Sequence, residues 1–182
     1  MNSYKGKFKG YLSDLARRKP SPGGGSAICL VFCIGVSLIE KAINYSWVPK
    51  PEGVSKKTKN RKLKTTLSRL RKLTLKIYPS IDNDSIIFAK IMNSKGKNRL
   101  KFVKGAQQII IDTAGACQAV FSLAKDVESD IKKSILSDFQ IGSTLVKDVL
   151  LGCILNLEAN QKMFGVESKD ADSFRKVLKK WQ

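Results

Sequence analysis

The sequence predicts an all-α protein, a bundle of about seven helices in a single domain over residues 1–182. Three observations carry this. Apolar residues recur three and four apart in the long segments, most plainly at Leu63, Leu67, Leu70, Leu73 and Ile77. No segment alternates apolar and polar residues with period two between turn signals. Pro49, Pro51 and Pro79 follow apolar stretches, where a residue without an N–H stops a helix.

The elements follow in order. Residues 4–18 read as a short helix with Phe8, Leu12 and Leu15 inward. Residues 25–47 are apolar nearly all round, so this helix is the most buried. Residues 54–77 carry the Leu63 stripe, and 81–92 turn Ile81, Phe88 and Ile91 inward. Lys95 to Asn98, with Gly96, reads as a loop. A long helix runs from Leu100 to about Asp126, with Gly105 and Gly115 as points of bending. Ser137 and Gln140 match a capping box, Ser at the N-cap and Gln three residues on. A helix from there to Phe164 ends on Gly165 as a C-cap. Asp170 to Trp181 forms a last short helix.

Composition bounds the function. Lys and Arg number 34 against 15 Asp and Glu, a net charge of +19 that attracts nucleic acid, anionic membranes or small polyanions. There is no histidine, so a Ser-His-Asp triad and a His-Cys zinc site are excluded, and proton transfer falls to Asp, Glu, Lys, Tyr or Cys. Cys29, Cys33, Cys117 and Cys153 all lie among apolar residues, which reads as four reduced core thiols in a reducing compartment. The apolar run Ala27 to Ile39 covers 13 residues, short of the roughly 20 that span a bilayer. It starts late for a signal peptide, and Glu40 and Lys41 follow it. The expectation is a soluble cytoplasmic protein with no membrane partner and no metal.

One stretch stands apart: Pro20-Ser21-Pro22-Gly23-Gly24-Gly25-Ser26, directly before the apolar run. Gly23 to Ser26 should sit at a helix N-terminus, where free N–H groups and the positive dipole end collect. With no side chains in the way an anion can approach the backbone. A flexible loop capped by Ser26 fits the same residues. The spacing is neither a Walker loop nor a dinucleotide fingerprint, since no lysine precedes Ser26 and no strand leads in.

Eleven basic residues stand between Lys50 and Lys76, opposed only by Glu52. Nucleic acid is a possible partner for such a face but not the favoured one. No aromatic residues are interleaved among these charges for base stacking. A solvated basic surface is the simpler reading.

The stretch Lys19 to Ser26 resembles the Pro-Thr-Pro-Gly-Gly-Gly-Ser opening of the cyclodeaminase/cyclohydrolase family. That family includes the cyclodeaminase domain of formiminotransferase-cyclodeaminase and small methenyltetrahydrofolate cyclohydrolases. Gly35 and Asn44 match its buried helix. Ser137-Asp138, then Asn156 and Asn160, match a second block, with Asp138 and Asn156 at the family spacing of 18. Asp84 with Phe88 fits a central acidic motif more loosely. The chain departs from the pattern in three places. Ile28, Cys29 and Phe32 stand where small residues are usual, Asn93 to Lys97 replace a Leu-Pro-Lys segment, and a proline near Ile110 is missing.

The resemblance implies chemistry on one-carbon folates without metal or redox cofactor: hydrolysis of a methenyl bridge, or closure of a formimino group with loss of ammonia. It implies a folate-type small molecule as ligand and a homodimer. Asp138 is the first candidate for the proton-transferring carboxylate and Asp84 the second. Gly23, Gly24, Gly25, Ser26, Asn44, Asn156 and Asn160 are the candidate substrate-binding residues. Asp138 and Asn156 point the same way but lie ~27 Å apart along one helix. A single site therefore needs a second subunit or a bent helix. The alternatives are a folate- or polyanion-binding homologue without turnover, and a basic nucleic-acid-binding helical protein.

Overall fold

The computed structural model describes residues 4–166 and 170–181. Among the described residues there are seven α-helices, two one-turn 3₁₀ helices and no strand. The helices are α1 (Tyr4–Leu15), α2 (Gly24–Ser46), α3 (Gly53–Ile77), α4 (Ser80–Met92), α5 (Gly96–Val127), α6 (Leu136–Phe164) and α7 (Asp170–Lys179). The all-α expectation holds.

Helices α2 and α6 form the axis of the bundle and run antiparallel. Gly24 lies beside Asn156, Gly35 beside Gly142, and Lys41 beside Asp138. The crossing is close because two glycines meet there. A Cβ on Gly142 would stand 2.6 Å from the Gly35 carbonyl oxygen. Around this pair α5 packs on α6, α3 and α4 each pack on α2 and α5, and α7 covers α6. The core contains Phe32, Val36, Ile39, Leu63, Leu70 and Leu150, and all four cysteines are buried free thiols. Burial pushes the Cys29 and Cys33 thiols up to about 11.

Several sequence expectations need correction. Phe8 and Leu12 are exposed at 43% and 57%, because α1 lies at the edge of the bundle rather than against its core. Helix α5 starts at Gly96, so Lys97 and Asn98 are helical and only a short turn separates it from α4. It runs unbroken through Gly105 and Gly115. The capping box at Ser137 is not formed. A 3₁₀ turn at Lys133–Ile135 leads directly into α6, whose N-cap is Ile135. Gly165 does close α6, in the left-handed region at φ 66°. The 13-residue apolar run is part of a 23-residue helix. By length and composition α2 and the stretch Lys133–Phe164 are each able to cross a membrane. Packed against each other they bury 50% and 39% of their most apolar stretches, which is what the core pair of a helical bundle does.

Candidate functional site

The glycine-rich turn does form a helix N-terminus. Gly23 is the N-cap of α2, with extended backbone, and the Ala27 N–H donates to its carbonyl at 3.0 Å. Ser26 is therefore not the cap but sits inside the first turn. An anion is present at this turn, and the chain supplies it: the Ser26 N–H donates to Asp84 Oδ2 at 2.9 Å. The absence of a side chain at Gly25 makes the approach possible. A Cβ there would stand 2.2 Å from Asp84 Oδ1 and 2.8 Å from Oδ2. Burial raises the Asp84 carboxyl above the ordinary carboxylate range, and the Ser26 N–H offsets part of that rise.

The Ser26 hydroxyl donates to the Ile81 carbonyl at 2.7 Å. Its one hydrogen is thereby used, so Tyr11 must be the donor in the 3.0 Å contact between the two hydroxyls. Ser26 is fully buried, and these bonds tie α1, α2 and α4 together. From α6, the Asn156 carboxamide faces Gly24, whose added Cβ would meet Asn156 Nδ2 at 3.7 Å. Asn160 Nδ2 donates to Asn156 Oδ1 at 2.9 Å, which leaves the Asn156 amide hydrogens pointing at the turn.

Four helices thus bring together Tyr11, Gly24, Gly25, Ser26, Asp84, Asn156 and Asn160. Two candidates lie elsewhere. Asp138, in the first turn of α6, holds Lys41 Nζ at 2.5 Å, and this exposed partner has its ammonium pKa raised by that bond. Asn44 is exposed, 20 residues along α2 from Gly24 and so ~30 Å away. Tyr11 was missed by sequence reading. Its one signal was a hydroxyl-tipped aromatic on the otherwise apolar face of the first helix.

The glycine turn, the half-buried acid and the paired asparagines belong to a bundle whose relatives are known. The formiminotransferase-cyclodeaminase family matches residues 7–180, nearly the whole chain. This chain belongs to the formiminotransferase-cyclodeaminase family. Its fold is that of formiminotetrahydrofolate cyclodeaminase from Thermotoga maritima, at a TM-score of 0.75 and 21% identity over 93% of this chain and 83% of that one. No curated protein matches the chain.

Within this member of the formiminotransferase-cyclodeaminase family, the bulkier residues of α2 do not crowd the turn. Cys29 and Phe32 are fully buried in the core, and Ile28 packs over Gly152 of α6. Alanine at Gly25 should act differently, because its methyl has no room beside the carboxylate. Gly25→Ala is expected to push Asp84 off the Ser26 N–H and lower binding of a ligand at this turn, tested with a folate, with helix content unchanged by circular dichroism. Binding equal to wild type would remove Asp84 and this turn from the ligand site.

Proposed function

We propose that the chain is a one-carbon folate enzyme, hydrolysing 5,10-methenyltetrahydrofolate or cyclising 5-formiminotetrahydrofolate, with Asp84 as the proton-transferring group. The observation that carries this reading is the raised carboxyl of Asp84, held at a glycine-only helix start beside Asn156. The methenyl carbon is already a cationic electrophile, so no metal or redox cofactor is required. In hydrolysis, water adds to that carbon and gives its proton to Asp84. One C–N bond then breaks, the nitrogen takes that proton from Asp84, and the carbinol O–H loses its own proton to solvent as the C=O of the formyl group forms on the other nitrogen, so one proton is released overall. In cyclodeamination the neighbouring nitrogen attacks the formimino carbon, and Asp84 passes a proton to the departing ammonia. A carboxyl held above the ordinary range is a stronger base than an ordinary Asp, which suits it to accept a proton in hydrolysis and, once protonated, to give one up in cyclodeamination. Asn156 and the free N–H groups of the turn are suited to the pterin edge or the glutamate carboxylates. Loss of methenyltetrahydrofolate absorbance on addition of purified protein tests the activity; binding without turnover would make this a folate-binding homologue.

The same reading takes the working form to be a cytoplasmic homodimer. Its support is one apolar face shared by the two central helices, with Ile34 and Tyr45 on α2 and Ile141, Leu151 and Leu155 on α6 all exposed. A second copy would cover that face. A twofold axis across its middle reverses α6, so the Asn156 end of one copy approaches the Asp138 end of the other. Ile141→Glu with Leu155→Glu is expected to give a monomer by sedimentation at micromolar concentration. An unchanged sedimentation coefficient would move the interface elsewhere.

Asp138→Asn separates the two candidate acids. Asn keeps an acceptor for Lys41, so turnover should stay within about threefold of wild type, in line with the small worth of a surface ion pair. A loss as deep as that of an Asp84 variant would transfer the base to Asp138, reached across the dimer.

A further inference from the structure

A hollow of about 730 Å³ lies between α5, α6 and α7 and contains none of the residues of the folate reading. Its α6 wall, Phe139 and Ser143, is 13 to 17 residues from Asn156, roughly 20–25 Å along the helix. The volume suits a small organic ligand. Phe121 and Trp181 stack at its edge with ring centroids 3.6 Å apart and 23° between planes. Both rings are only half buried, so aromatic surface remains open to the hollow. Lys125 and Lys180 line it, together with one acid, Glu128.

Ser122 connects this hollow to a second one of about 400 Å³, lined by Arg69 and Lys72 of α3. Four exposed cations therefore border a depression made of two adjoining hollows that share Ser122. None of the four is ion-paired among the described residues, whereas Lys62, Arg71 and Lys76 of the same basic helix are. An open aromatic surface beside four unpaired cations selects a flat ring joined to a concentrated negative charge. Glu128 adds an acceptor for a ring edge that carries amino hydrogens. Four cations against one acid match a polyphosphate better than the carboxylates of a folate tail.

We infer that this depression is a second ligand site that takes a nucleoside di- or triphosphate, its base against Trp181 and Phe121 and its phosphates on Lys125, Lys180, Arg69 and Lys72. The site does not depend on the folate reading, which concerns the far end of α6. Nucleotide bound there touches α3, α5, α6 and α7 and so sits on helices that carry the core.

The test uses the full chain with Trp47→Phe, which leaves Trp181 as the only indole. ATP and ADP should quench its fluorescence saturably in the micromolar range. Adenosine should bind at least about tenfold more weakly, which is about 1.4 kcal/mol. Lys125→Glu with Lys180→Glu should weaken ATP at least tenfold with unchanged circular dichroism; Lys125→Gln with Lys180→Gln, which only removes charge, should fall between. Asp84→Asn should leave the titration unchanged, whatever it does to turnover. Four results would overturn the inference: tripolyphosphate quenching as ATP does, no quenching by any nucleotide, quenching only by a single-stranded oligonucleotide, or displacement of ATP by 5-formyltetrahydrofolate.

Discussion

Asparagine in place of Asp84 is expected to cost ~10²–10⁴ in turnover, the range for loss of a positioned general acid or base. The fold should be untouched. The new carboxamide would keep a carbonyl oxygen for the Ser26 N–H, and Gly25 would still leave it room. Stability should respond in the opposite direction to activity, and the sign follows from the raised pKa. The folded protein binds the Asp84 proton more tightly than the unfolded chain, whose carboxyl titrates near ~3.9. The resulting stabilisation is fully present below the unfolded value and is lost as pH rises through the folded one. At neutral pH the wild type therefore carries the cost of a half-buried carboxylate, and the asparagine variant does not. Its thermal midpoint should equal or exceed that of wild type at pH 7, and the difference should shrink toward pH 4. For the enzyme, the acid limb of kcat/KM should lie above the ordinary Asp range if the ionised form accepts the proton, and Asp84→Asn should abolish that limb. Full activity of the variant, with an unchanged pH profile, would sink the assignment of Asp84.

Valine in place of Gly142 is expected to be the most destabilising single change in the bundle. Here the obstacle is backbone, not a movable side chain. The first carbon added would lie 2.6 Å from the Gly35 carbonyl oxygen, 2.9 Å from Ile39 Cγ1 and 3.0 Å from Leu38 Cβ. The α2–α6 pair must separate to admit it, and both helices carry the core. We expect a loss of about 3 kcal/mol, the upper end for overpacking a tight interior. At this chain length that lowers the thermal midpoint by ~6–12 °C. Gly35→Ala, whose new carbon would meet its neighbours at 3.0–3.2 Å, should cost less. Gly115→Ala is the control. Nothing lies within 4 Å of its added carbon, and alanine in a helix interior is worth roughly 0.5–1 kcal/mol over glycine. A Gly142→Val protein as stable as wild type would mean that the helices do not cross there.

Local chemistry alone determined the helical character of this chain and most of its boundaries. Apolar spacing at Leu63 to Ile77, prolines after the second and third helices and Gly165 at a left-handed cap all act within a turn or two of their own position. The glycine run before an apolar stretch likewise placed Gly23 to Ser26 at the head of the second helix, where free N–H groups face an anion. What the sequence left open was the identity of that anion. It is Asp84, 58 residues away, and only the packing of α4 on α2 brings it there. The same holds for Asp138, whose neighbours in sequence say nothing of Lys41, 97 residues away, which it meets once α6 settles against α2. Phe8 and Leu12 read as buried by their spacing, yet spacing defines a face without supplying anything to cover it. Propensity and periodicity are properties of neighbours in sequence. A hydrogen-bond partner or a covering surface is a property of neighbours in space, and here the close approach of α2 and α6 through Gly35 and Gly142 fixes which residues those are.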